Sequence, residues 1–182
     1  MRLFVGIALA EKVTAQLEHI CARLQAQGDG LRWSAPDSWH ITLQFLGNAS
    51  EEQFACVQAR LAAVRAATPP LRLGELGIFE RAGVLLAKVE PTAELLELQR
   101  AVVEATCQCG FVAEDRPYQP HITLARAKGE DGRRRLKLLK ARADEQPAFT
   151  GFTAHEFVLY ESHLGPGGSR YAVRARMRME RS

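Results

Sequence analysis

His40-Ile41-Thr42-Leu43 and His121-Ile122-Thr123-Leu124 are the same four residues in the same order, 81 residues apart. A proline-bearing approach precedes each copy: Pro36-Asp37-Ser38-Trp39 before the first, Arg116-Pro117-Tyr118-Gln119-Pro120 before the second. Each copy reads as part of a strand that follows a helix, so an internal duplication with one copy per half is the simplest account. Side chains alternate between the faces of a strand. Each histidine therefore points the same way as the threonine two residues on, while Ile41, Leu43, Ile122 and Leu124 point to a core. If the halves face each other, two imidazole–hydroxyl pairs meet across a cleft.

Outward from the repeat, residues 2–9 are almost all apolar and read as a central strand. Residues 11–27 carry Val13, Leu17, Ile20, Cys21 and Leu24 at helical spacing, with Gly28 as a stop. The first repeat lies in a strand over 39–46. Ser50 opens a second helix with the stripe Phe54, Val57, Leu61 and Val64, and Thr68-Pro69-Pro70 ends it. Residues 71–79 and 83–90 form a hairpin around Arg81-Ala82-Gly83. A third helix follows Pro91 and carries Leu95, Leu98, Val102 and Cys109 on one side. The second repeat lies in a strand over 120–126, and 128–147 is polar and basic. Strands near 153–161 and 171–179 close the chain. In the last of these, Tyr171, Val173, Ala175, Met177 and Met179 alternate with Ala172, Arg174, Arg176 and Arg178. Interleaved strands and helices with hairpin signals define an α+β or mixed α/β class.

Composition narrows the function. The chain has 182 residues, 47% hydrophobic and 25% charged, enough for a full core without staples. Disorder, a collagen-like fibre and a disulfide scaffold are excluded as descriptions of the whole chain. One domain over 1–182 is expected. The apolar run Leu3–Ala10 is far short of the roughly 20 residues of a membrane span, and too short for a leader. Of 24 basic residues 19 are arginine, which binds phosphate through two parallel hydrogen bonds; a coding bias yields the same count. Cys21, Cys56, Cys107 and Cys109 form no Cys-x-x-Cys pair and read as small buried hydrophobes in a reducing cytoplasm.

Two imidazoles across a cleft suit hydrolysis of a cyclic phosphodiester. In that in-line displacement a base activates water on one side of phosphorus and an acid protonates the leaving oxygen on the other. The threonine hydroxyls can hold the non-bridging oxygens. This chemistry needs no metal and no cofactor, and no carboxylate or cysteine lies beside either histidine at ligand spacing. Spacing alone leaves open which imidazole is acid and which base. His19, His155 and His163 lack the context of the repeat and read as surface or structural residues.

These motifs resemble the two-histidine (2H) phosphoesterase superfamily. Within it the match is closer to the bacterial and archaeal RNA 2′,3′-cyclic phosphodiesterases, historically called 2′-5′ RNA ligases. The residues that carry the resemblance are Arg2-Leu3-Phe4-Val5-Gly6-Ile7-Ala8, Leu31-Arg32-Trp33, the first repeat through Phe45-Leu46-Gly47, Arg116 to Arg126, and Leu159-Tyr160-Glu161-Ser162. The resemblance implies a bilobal, pseudo-twofold α+β fold with antiparallel sheets, flanking helices and the site between the lobes. It implies opening of an RNA 2′,3′-cyclic phosphate to a 2′-phosphate, with His40 as proton donor and His121 as proton acceptor. Thr42 and Thr123 would hold the phosphate and Arg126 would add positive charge. Tyr118, where the family often has phenylalanine, would stack on a base or ribose, or simply pack. The expected partner is RNA ending in a cyclic phosphate, acted on by a cytoplasmic monomer. Two alternatives are a related phosphodiesterase acting on a small or 2′-5′-linked nucleotide, and a non-catalytic RNA-binding module. The basic residues from Arg126 to Arg142 either flank the cleft or form a solvated face.

Overall fold

The computed structural model describes residues 1–141, 149–165 and 168–180. The first half runs β1 (Arg2–Ala8), α1 (Glu11–Leu24), β2 (Leu31–Trp33), a 3-10 turn at Pro36–Ser38, β3 (His40–Asn48), α2 (Glu51–Ala62), β4 (Pro70–Leu71) and β5 (Leu73–Phe79). The second runs β6 (Val84–Val89), α3 (Ala93–Cys107), β7 (His121–Ala127), α4 (Gly129–Ala141), β8 (Phe152–Thr153), β9 (Glu156–Gly165) and β10 (Gly168–Arg178). The repeated unit is therefore strand–helix–strand–helix: β1-α1-β3-α2, then β6-α3-β7-α4.

The strands form two four-stranded sheets, ordered β10-β9-β1-β3 and β2-β7-β6-β5, and every strand pair in them is antiparallel. The fold is α+β, in two lobes related by a pseudo-twofold. The lobes do not coincide with the halves of the chain. The first sheet takes β1 and β3 from the first half and β9 and β10 from the second. The other takes β6 and β7 from the second half and β2 and β5 from the first. The small β4–β8 pair joins the halves again.

Local chemistry accounts for the helix ends. Ser50 and Gln53 form a reciprocal capping box at the start of α2. The Thr92 hydroxyl accepts the Leu95 N–H at the start of α3. The helix expected to reach residue 27 stops at Leu24, where Gln25 turns extended. The basic stretch after β7 becomes helical, burying Leu136 and Leu139 and leaving Leu138 exposed. Its residues 142–147 lie outside the described residues. Among the described residues no helix is long and apolar enough to cross a membrane.

Two expectations are corrected. The alternation of the last strand breaks at Arg174, because Val173 pairs with Tyr160 but Ala175 pairs with Leu159. The extra residue moves Ala175 and Met177 to the core face and leaves Tyr171 and Val173 on the other, with Val173 45% exposed. The cysteines are also not all unpaired hydrophobes. Cys56 and Cys109 are joined in a disulfide, and Cys107 is exposed. Only Cys21 is a buried free thiol, its pKa pushed up to about 12 by burial. The bridge forms because α2 packs on α3, a proximity that spacing does not reveal. It closes a separation of 53 residues. Chain-entropy reasoning puts that closure at about 4 kcal/mol of stability. Reduction should lower the midpoint of thermal unfolding clearly, and Cys56→Ser should abolish the response to reductant.

Candidate active site

Each repeated strand begins with its histidine, and the backbone just before it fixes the ring. The His40 Nδ1–H donates to the carbonyl of Ser38 at 2.8 Å, and the His121 Nδ1–H to the carbonyl of Gln119 at 2.7 Å. A carbonyl can only accept, so each Nδ1 carries hydrogen. Nε2 is then the atom left to take or give a proton in both rings.

The two strands match beyond the histidines. Over their first six residues β3 and β7 share one burial sequence: half-buried, buried, half-buried, buried, buried, exposed. The cause is a β-bulge at the same place in each. In β3, Thr42 pairs with Gly6 and Gln44 with Val5, leaving Leu43 extra. In β7, Thr123 pairs with Leu86 and Ala125 with Leu85, leaving Leu124 extra. The extra residue returns Phe45 and Arg126 to the face of the histidines, where strict alternation would turn them away.

These side chains line one cavity of about 500 Å³ between the lobes. His40, Thr42, His121, Thr123 and Arg126 all line it. Tyr118 does not: its hydroxyl donates to the backbone carbonyl of Thr42 at 2.8 Å, and burial pushes the phenol well above its ordinary range. Tyr118 thus ties to the backbone of β3 and packs against the core, the second of its two expected roles. His19, His155 and His163 do not line the cavity.

The wall also holds residues that sequence reasoning did not assign to the site. Among the described residues, Arg2 and Arg32 bring the arginines of the cavity to three, and none of the residues lining it is a carboxylate. Ser162, Ser169 and Tyr171 come from β9 and β10, whose approach through β1 is a long-range pairing invisible in local pattern. His40 sits among aromatic rings, with Phe4 at 4.6 Å and Tyr171 edge-on at 5.1 Å. His121 meets Phe79 edge-on at 4.9 Å. Lys88, the cross-strand neighbour of His121, is held in an ion pair with Glu75. Among the described residues no three His, Cys, Asp or Glu side chains cluster as metal ligands would.

Burial holds the His40 imidazole below the ordinary histidine range, and charge on His121 pushes it the same way. The Ser38 carbonyl works against both. A charge on His121 therefore disfavours a charge on His40.

Gly6 is a further residue whose part in the site has no obvious signal in the sequence. A Cβ there would lie 2.9 Å from the Ile41 carbonyl oxygen and 3.4 Å from the His40 ring. The β1–β3 pair closes this tightly only because position 6 is bare. Gly6→Ala should cost about 1–3 kcal/mol by overpacking and lower kcat, whereas Gly74→Ala, whose nearest neighbours lie at 3.9 Å, should cost less. Equal unfolding midpoints for the two variants would count against this account.

A two-lobed α+β fold that presents a duplicated His-x-Thr pair to one shared cavity is the two-histidine phosphoesterase architecture. The model of the 2′-5′ RNA ligase superfamily matches residues 16–166, and the chain belongs to that family. It is 29% identical over 167 residues to the RNA 2′,3′-cyclic phosphodiesterase of Bacillus subtilis, covering 88% of this chain and 87% of that one. It is 30% identical over 172 residues to the Escherichia coli protein of the same name, covering 93% and 92%. Among solved structures, E. coli LigT complexed with 3′-AMP superposes with a TM-score of 0.79 at 27% identity, over 98% of this chain and 97% of that one.

Proposed function

We propose that this protein opens RNA 2′,3′-cyclic phosphate ends to 2′-phosphomonoesters by acid–base catalysis between His121 and His40. One observation carries the proposal: two imidazoles, each with Nδ1 tied to a backbone carbonyl, line a single cavity whose described wall holds three arginines and no carboxylate. The names of the B. subtilis and E. coli relatives support the same substrate.

In the proposed step Nε2 of His121 removes a proton from water, and the water oxygen bonds to phosphorus. The bond from phosphorus to the ribose 3′ oxygen breaks, and that oxygen takes the proton from Nε2 of His40. The order of donor and acceptor follows the family resemblance. Thr42 and Thr123 donate hydroxyl hydrogens to the non-bridging oxygens, and Arg126 balances their charge. The chemistry is complete within one chain and calls for neither metal nor cofactor. An RNA substrate places the work in the cytoplasm, although the Cys56–Cys109 bridge removes the argument from reduced cysteines.

The test is an oligoribonucleotide ending in 2′,3′-cyclic phosphate, incubated with chelator and followed by phosphorus NMR. A 2′-phosphate is expected. A 3′-phosphate product, or inhibition by chelator that zinc or manganese reverses, would overturn the mechanism.

The pH profile is a separate expectation. His40 as acid must be protonated while His121 is neutral, so kcat/KM should be bell-shaped in pH with limbs that belong to the pair. Burial lowers the His40 pKa and so reduces the fraction of free enzyme in the productive state, and the alkaline limb marks loss of the last proton from the pair. A bound phosphodiester anion favours the imidazolium, so the same limb in kcat should move to higher pH. A kcat/KM profile that rises to a plateau with no alkaline limb would remove His40 from the acid role.

A further inference from the structure

A second hollow, of about 560 Å³, lies on the outer side of β2. Trp33 lines both it and the main cavity, so this residue is shared by the two. The loop before β2 holds this ring in place. Asp29 accepts hydrogen bonds from the Trp33 indole N–H at 3.1 Å and from the backbone N–H groups of Leu31 at 2.9 Å and Ala26 at 3.3 Å. Gly30 seats the loop on α4, its carbonyl accepting the Lys128 N–H at 2.7 Å. A Cβ on Gly30 would lie 2.5 Å from the Gly132 nitrogen.

Cations continue from one hollow to the other. Arg32 pairs across β2–β7 with Arg126, and both line the main cavity. Lys128, one residue past β7, lines the second hollow. Among the described residues none of the three is paired with a carboxylate, unlike Arg174 with Glu161 or Arg134 with Asp131. Of the nearby acids, Asp29 is already engaged by three N–H groups and Asp131 is paired with Arg134. The result is an aromatic ring between paired arginines and a lysine, the pattern that holds a single-stranded nucleic acid by stacking and phosphate contact.

We propose that the second hollow holds the body of the RNA. The chain leaves the main cavity past Arg126 and Arg32, stacks a base on Trp33 and sets a phosphate against Lys128. This inference rests on the RNA-end reading and deepens it: the preferred substrate is an oligonucleotide end rather than a cyclic mononucleotide.

The experiment compares a 2′,3′-cyclic mononucleotide with oligoribonucleotides of two to five residues ending in cyclic phosphate. Wild type should show higher kcat/KM on the oligonucleotides. Lys128→Gln should lower that kcat/KM severalfold and reduce the steepness of its salt dependence by ~0.7 in log–log slope, while leaving the mononucleotide rate unchanged. Binding of an oligonucleotide with an ordinary 3′-phosphate should quench tryptophan fluorescence. Trp33→Phe should remove the quench and weaken binding about tenfold, because the other tryptophan, Trp39, is buried. Equal kcat/KM for mononucleotide and oligonucleotides in wild type would overturn the proposal. So would an equal loss on both substrates in Lys128→Gln, or a quench that survives Trp33→Phe. Quench and salt response without hydrolysis of any cyclic phosphate would sink the proposed activity and leave this binding track standing.

Discussion

His40→Ala and His121→Ala are each expected to lower turnover on a cyclic phosphate end by a factor on the order of 10²–10⁴. Both histidines are half-buried at strand starts, and the core beneath them is made by Ile41, Leu43, Ile122 and Leu124. Truncating a ring should therefore leave the unfolding transition nearly in place, and circular dichroism should confirm it. The double variant should lose far less than the product of the single losses, since acid and base serve one step. A single variant with near-wild-type turnover would exclude a mechanism through the pair.

The second large expectation comes from how the halves share their sheets. A fragment of residues 1–81 should show no cooperative unfolding, although it contains a complete strand–helix–strand–helix unit. Its β1 would lose β9, and its β5 and β2 would lose β6 and β7. The complementary fragment should fail for the same reason, its β9 lacking β1 and its β6 lacking β5. Mixing the two fragments should restore a dispersed amide spectrum. A fragment that folds alone would show that the lobes are independent after all.

Much of this site was legible in the chain. The repeat, its face-sharing histidines and threonines and the buried Ile and Leu beneath them follow from the period of a strand, and the structure has them so. Arg126 marks where that rule fails. It stands five residues after His121, an odd offset that alternation assigns to the core. Family resemblance rather than periodicity pointed to it. The bulge at Leu124 supplies the physical reason, and Leu43 does the same for Phe45. A bulge is a property of two paired strands, so no local pattern announces it. Arg174 in β10 repeats the lesson, with Tyr171 turned to the cavity and Met177 to the core. The partner of Tyr118 and the Cys56–Cys109 bridge escaped for a related reason: each depends on a neighbour more than 50 residues away.

The paired Nδ1–carbonyl bonds also govern how the site resets after a single turnover. Under the proposed roles the reaction begins with the exchangeable proton on His40 and ends with it on His121. Because each Nδ1 hydrogen is pinned, neither ring has to flip or change tautomer as its Nε2 gains or loses that proton. The spent site is then the mirror image of the ready one, with donor and acceptor exchanged across the pseudo-twofold. Solvent must carry one proton between the two Nε2 atoms before the next cycle. Left in its spent state, the same cavity is already charged for the opposite direction, closing a ring from a phosphomonoester rather than opening one. Direction would then be decided by water and by mass action.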